Sequence, residues 1–266
     1  MELKTCTVIF IIACVLHRLN NRPADDIGVK ALNISMWQFI CVGVFFEILA
    51  GASQTLLRLV ARALKFENME VISGTILCLT SLILTLAAIK IFHGFKGEIL
   101  WGTRPFLSTL KSAIYNLGLA LPVFLGTSFL WGIFLYLIHS LGVPVDLSPQ
   151  TTVQLFSHPE NPFVTVIHAV TATAIAPILE EIIFHGFIYR VLKRRGSKFV
   201  AASFTSFIFA LAHWNLLAFA GLFMFSMCLI QIYEHSADIG EPMLVHALFN
   251  ATTITGLLWN SHVTTI

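Results

Sequence analysis

Two adjacent carboxylates, Glu180 and Glu181, interrupt the apolar stretch PILEEIIFHGF. Further on, FALAHW carries Phe209 and His213, and HALFN carries His246 and Asn250. A carboxylate withdrawn from water is a useful general base, and a neighbouring imidazole lets it activate a water for attack on a carbonyl. Imidazole and amide donors can then stabilise the oxyanion that forms. Glu180, His213, His246 and Asn250 supply each of those parts, so hydrolysis of a buried peptide bond is the chemistry they fit. Glu180, His213 and His246 also make up a His₂Glu set of the kind that holds catalytic zinc. Zn²⁺ is therefore the alternative cofactor, although no HExxH motif is present.

Helical spacing decides which groups can cooperate. Residues four apart share a face, which joins His246 with Asn250, Glu181 with His185, and Phe209 with His213. Glu180 and Glu181 diverge by about 100° and are expected to serve different neighbours. Taken singly, a buried histidine or asparagine is more often a packing residue than a catalyst, and Phe184 and Phe209 read as core. His139, His158, His168 and His262 read as structural or interfacial. Tyr233, Glu234, His235, Asp238 and Glu241 read as a solvated polar turn. The joint occurrence of the three motifs, in order, is what raises the chemical reading above packing.

The elements that position these residues must be membrane helices. Of 266 residues, 57% are hydrophobic and 11% charged, with 23 phenylalanines, whereas soluble domains carry about 25% charged residues. Spanning hydrocarbon takes about 20 apolar residues in helix. Candidate spans are 4–17, 36–57, 70–92, 112–139, 162–190, 199–217, 217–234 and 242–260. The expected fold is all-α, a polytopic membrane helix bundle of about eight transmembrane helices. The first span is short and reads as an uncleaved anchor. The second continues past Gln54 as an amphipathic stretch. The polar connection 140–161 divides N-terminal helices of unassigned role (1–160) from a core (161–266) that holds the three motifs. Cys6, Cys14, Cys41, Cys78 and Cys228 form no CxxC pair and read as packing residues.

Charge sets an orientation. The segment His139–Asn161 holds Asp146 and Glu160 and no Lys or Arg, whereas RVLKRRGSK from Arg190 holds five basic residues in nine. The positive-inside rule puts the first segment outside and the second in the cytoplasm. At about 1.5 Å per residue, Glu180 lies roughly 15 Å from Arg190 and His213 roughly 20 Å from Lys198. An integral protein of a bacterial-type inner (plasma) membrane, its site facing the cytoplasm, is the expectation. No basic run with interleaved aromatics favours nucleic acid, and no internal repeat favours a transporter.

At these motifs the sequence resembles the CPBP family, which includes CAAX prenyl endopeptidases and bacterial proteins linked to bacteriocin immunity and processing. The family pattern EExxxR, FxxxH and HxxxN/D is matched by EEIIFH at 180–185, FALAH at 209–213 and HALFN at 246–250. The likeness runs from about residue 160 to 260. It implies an intramembrane glutamic protease without a bound metal, acting on a membrane-associated or lipidated peptide among membrane lipids. By the resemblance, Glu180 and His213 activate water, His246 and Asn250 form the oxyanion site, and Glu181 is accessory. The arginine of the pattern is His185 here. Arginine is always cationic and forks onto carboxylates, whereas histidine is shorter and only partly charged near neutrality. A fold kept as a non-catalytic immunity or interaction protein is the alternative outside enzymes.

Overall fold

The computed structural model describes residues 28–32, 55, 59, 75–76, 78–83, 85–86, 104–159 and 161–264. Among them there is helix and no strand. The principal elements are α1 (Phe106–Ser140), α2 (Thr151–Ser157), α3 (Pro162–Lys193), α4 (Lys198–Ala212), α5 (Phe219–Ser236) and α6 (Gly240–Thr264). The described positions between 75 and 86 are helical too. Helices α1 and α3, 35 and 32 residues long, are long and apolar enough to cross a membrane. Of the eight expected spans, 4–17 lies outside the described residues, as does 36–57 apart from residue 55.

Local sequence explains where these helices begin and end. Asn161 caps α3, its side chain accepting from the N–H groups of Phe163 and Val164 at 3.0 and 3.4 Å, with Pro162 at the first helical position. Ser197 caps α4 through the Val200 N–H. Helix α5 ends on Ala237 in the left-handed conformation. Phe106, Tyr115, Phe129, Leu130 and Tyr136 stand exposed around α1, the pattern of a helix whose solvent is lipid rather than water. Pro122 sits inside α1, as membrane helices tolerate.

Helix α1 packs on α5 and α6. Its Ala113 and Ala120 make room for Phe225, Leu229, Val245 and Phe249. Gly221 of α5 meets α1 so closely that a methyl there would lie 2.1 Å from Ser128 Oγ and 2.9 Å from the Phe124 ring. Small residues at such crossings are how membrane helices approach one another. On the other side of α5, a second core joins Ile182, Ile188 and Tyr189 of α3 with Ala201 and Ile208 of α4 and Ile230 and Tyr233 of α5.

Two expectations are corrected. The sequence placed a helix across 199–217, but α4 stops at Ala212, and His213 is its C-terminal cap. The turn that follows is tied down from outside. Asn215 Nδ2 donates to the Ser148 carbonyl at 2.9 Å, Trp131 Nε1 donates to the Leu216 carbonyl at 2.7 Å, and Trp214 adopts φ +48°. The polar turn at 233–241 is solvated only in part: His235 and Ala237 are exposed, whereas Tyr233, Asp238 and Glu241 are buried. Glu241 accepts from Arg104 at 3.0 Å, Asn116 at 2.7 Å and Ser112. Glu234 accepts from the Tyr189 hydroxyl at 2.8 Å and from Lys193 at 2.6 Å. These carboxylates are buried because α1 and α3 bring donors to them, as burial of charge requires. Several basic side chains of the 190–198 run likewise turn inward: Arg190 Nε donates to the Lys30 carbonyl at 2.7 Å, and Lys193 to that of Val29.

Candidate active site

Glu180 ends a regular α-helical stretch of α3, and Glu181 opens a π-helical one that runs to Tyr189. An earlier π stretch covers Thr171–Ile175. Wide turns of this kind re-aim side chains and free carbonyls, and they concentrate at functional sites. The freed Ala172 carbonyl accepts from Asn250 Nδ2 at 2.8 Å, which ties α6 to α3.

Glu181 is sealed, with 0% of its side chain exposed. One carboxylate oxygen accepts from His185 Nδ1, and the other meets His246 Nδ1 at 2.9 Å. A carboxylate offers only acceptors, so both imidazoles carry a proton on Nδ1. His185 Nε2 lies 3.0 Å from Ser226 Oγ on α5. His213 is fixed in the same sense, its Nδ1 donating to the Phe209 carbonyl at 2.8 Å.

Those bonds decide what the other ring nitrogens can do. In their neutral forms His213 and His246 present a bare Nε2, and both point at Glu180 Oε2, from 3.9 and 3.7 Å. These separations exceed a hydrogen bond and leave reach for a small bridging group. Glu180 and His213 are about a quarter exposed, at 27% and 24%, while His246 is 6% exposed. Three proton acceptors thus converge on one accessible point, behind which Glu181 is buried. The wall is aromatic. The ring of Phe209 lies 4.8 Å from His213, 5.9 Å from His246, 6.0 Å from His185 and 5.2 Å from Phe184. Phe225 meets His246 edge-on at 5.5 Å.

Of the residues singled out from sequence, Glu180, Glu181, His185, Phe209, His213 and His246 come together. Asn250 is joined to them by no hydrogen bond: among the described residues its side chain bonds to the Ala172 carbonyl and to none of the other six. The two glutamates, expected to serve different neighbours, share one. His246 takes Glu181 on Nδ1 and faces Glu180 with Nε2. Ser226 escaped sequence reasoning, because a lone serine in FMFSMC carries no signal of its partner. Among the described residues, no group of three or more His, Cys, Asp or Glu side chains is arranged to hold a metal ion.

No curated protein and no solved structure matches the chain. Residues 162–252, which hold every one of these side chains, match the Rce1-like family model, described as type II CAAX prenyl endopeptidase Rce1-like, and over this segment the chain is similar to that protease family, in agreement with the resemblance carried by its three motifs.

Proposed function

We propose that the protein is an intramembrane endopeptidase that hydrolyses a peptide bond of a membrane-associated, CAAX-like or bacteriocin-related substrate with water activated by Glu180, His213 and His246. The observation that carries this reading is the convergence of the Glu180 carboxylate and two imidazole Nε2 atoms, each held in its proton-accepting tautomer by a partner behind it. A water among them loses a proton to Glu180 as its oxygen bonds to the substrate carbonyl carbon. That proton moves on to the bare Nε2 of His246, and the resulting imidazolium donates a hydrogen bond to the oxyanion. Collapse breaks the C–N bond, and the proton taken from water passes to the leaving nitrogen, giving one carboxylic acid and one amine.

In this reading Asn250 fixes the π stretch of α3 through one amide N–H and has a second N–H to offer the oxyanion. Glu181 and His185 hold His246. The chemistry proceeds without a metal. The basic end of α3 faces the cytoplasm of a bacterial-type inner membrane, and the substrate reaches Glu180 from that side. The protein partners are thus lipid and a membrane-associated peptide.

The test uses the full chain in proteoliposomes, with an internally quenched farnesylated peptide ending in a CAAX sequence and its unmodified counterpart. Cleavage of either peptide that disappears in Glu180→Gln supports the reading. Cleavage retained in Glu180→Gln, or none of either peptide by the native chain, overturns it and leaves the non-catalytic alternative.

A further inference from the structure

We propose that Ser226 is a positioning residue of this site, acting through His185 and Glu181 to fix the ring orientation and tautomer of His246. A continuous line of hydrogen bonds joins three helices. It runs from Ser226 Oγ on α5 to His185 Nε2 at 3.0 Å, from His185 Nδ1 to Glu181 on α3, and from Glu181 Oε1 to His246 Nδ1 on α6 at 2.9 Å. Ser226, His185 and Glu181 are all fully buried, so no solvent competes for any link.

Each link constrains the next. The two oxygens of a carboxylate are coplanar and rigidly joined, so anchoring Oε2 on His185 determines where Oε1 points. His185 can serve as that anchor only while its far nitrogen is satisfied, because a buried orphan costs about 1–3 kcal/mol. A serine hydroxyl both donates and accepts, so it satisfies Nε2 whether that atom is bare or protonated.

The bond is also selective. Serine and threonine inside helices commonly spend the hydroxyl on the carbonyl four residues back. Thr171, Thr173, Thr252, Thr253 and Thr255 of this chain do so. Ser226 instead reaches across to α3, with its one hydrogen bond among the described residues directed at His185. The groups facing His185 are therefore Glu181 from its own helix, Ser226 from α5 and the Phe209 ring from α4. Among these, only Ser226 offers its Nε2 a hydrogen-bonding partner.

Only the rate measurement in this test depends on the proteolytic reading. The native chain, Ser226→Ala, Ser226→Thr, His185→Leu and the Ser226→Ala/His185→Leu double variant are prepared in nanodiscs with ¹⁵N-labelled histidine. His246 resonances are assigned by their loss in His246→Asn. The native protein is expected to show His246 with its proton on Nδ1, and Ser226→Ala to shift those resonances toward a tautomer mixture. Ser226→Ala is further expected to lower kcat on the farnesylated peptide about tenfold, the scale of outer-shell partners, with KM within about twofold. Ser226→Thr restores both signatures, and in the His185→Leu background Ser226→Ala changes neither. Shifted His246 resonances in a chain that cleaves nothing leave this inference standing and remove the proteolytic one. His246 resonances identical in native and Ser226→Ala protein overturn it, as does a Ser226→Ala effect that persists undiminished without His185.

Discussion

Adjacent glutamates with different duties should separate cleanly when each is made neutral. Glu181→Gln keeps the shape of a fully buried side chain that makes two hydrogen bonds to imidazoles. A hydrogen bond to a charged group contributes about 1.5–3 kcal/mol, a neutral one about 1, and an orphaned buried donor costs about 1–3. The amide retains one carbonyl acceptor and turns an N–H toward the other imidazole, so one bond is weakened and the other is lost or forces a change of tautomer. The sum is about 2–4 kcal/mol of stability, a fall in melting temperature of roughly 5–15 °C for a chain of this size. If His246 is the ring that changes tautomer, its Nε2 gains the proton and can no longer accept one. The rate should then drop at least about 100-fold, or about 2.7 kcal/mol of transition-state stabilisation. Glu180→Gln behaves differently. Its side chain is 27% exposed, and its nearest imidazole nitrogens lie at 3.7 and 3.9 Å, so stability should stay within about 1 kcal/mol while cleavage is lost by about 10³ or more. Melting followed by a thiol-reactive dye, beside peptide cleavage in proteoliposomes, measures both. A Glu180→Gln variant that melts lower than Glu181→Gln would refute the division of labour.

Cleavage by the native chain should survive thorough treatment with a zinc chelator. Loss on chelation with recovery on added Zn²⁺ would make Glu180, His213 and His246 a zinc set instead. Glu241→Leu should lower the melting temperature by an amount matching about 2–4 kcal/mol, since it strands Arg104, Ser112 and Asn116. The histidine resonances of the site should not move, and a change in His246 would show that this network and the site are one. Gly221→Ala should also destabilise, because its methyl would meet Ser128 and Phe124 of α1 at 2.1 and 2.9 Å. The double variant with Ser128→Gly should recover part of the loss, and an unchanged melting temperature in Gly221→Ala would mean that α1 and α5 do not approach this closely.

What was legible in the sequence was what periodicity within one helix can carry. The pairing of Glu181 with His185 follows from a spacing of four, and the structure forms that bond. So does the placing of Phe209 next to His213, which the structure realises as a ring contact and a hydrogen bond from the His213 ring to the Phe209 carbonyl. Spacing is silent on which neighbouring helix a face meets. The bond from Glu181 to His246 spans 65 residues and that from His185 to Ser226 spans 41. Hydropathy misled in one further way. It runs α4 on to residue 217, whereas the Asn215 and Trp131 hydrogen bonds hold residues 213–218 in a turn between α4 and α5. The carboxylates of the polar turn at 233–241 read as solvated for the converse reason: their donors lie on α1 and α3, outside the turn itself.

The divergence of Glu180 and Glu181 shows how a correct local rule gave an incomplete answer. Side chains about 100° apart on one helix cannot reach the same atom, and these two do not. They reach opposite nitrogens of the same ring. Imidazole carries its two nitrogens on different edges, so His246 bonds to Glu181 on one edge and faces Glu180 across 3.7 Å on the other. This arrangement gives the two glutamates unequal surroundings without any difference in residue type. The sealed one dictates the tautomer, and the accessible one faces the nitrogen which that tautomer leaves free to accept a proton.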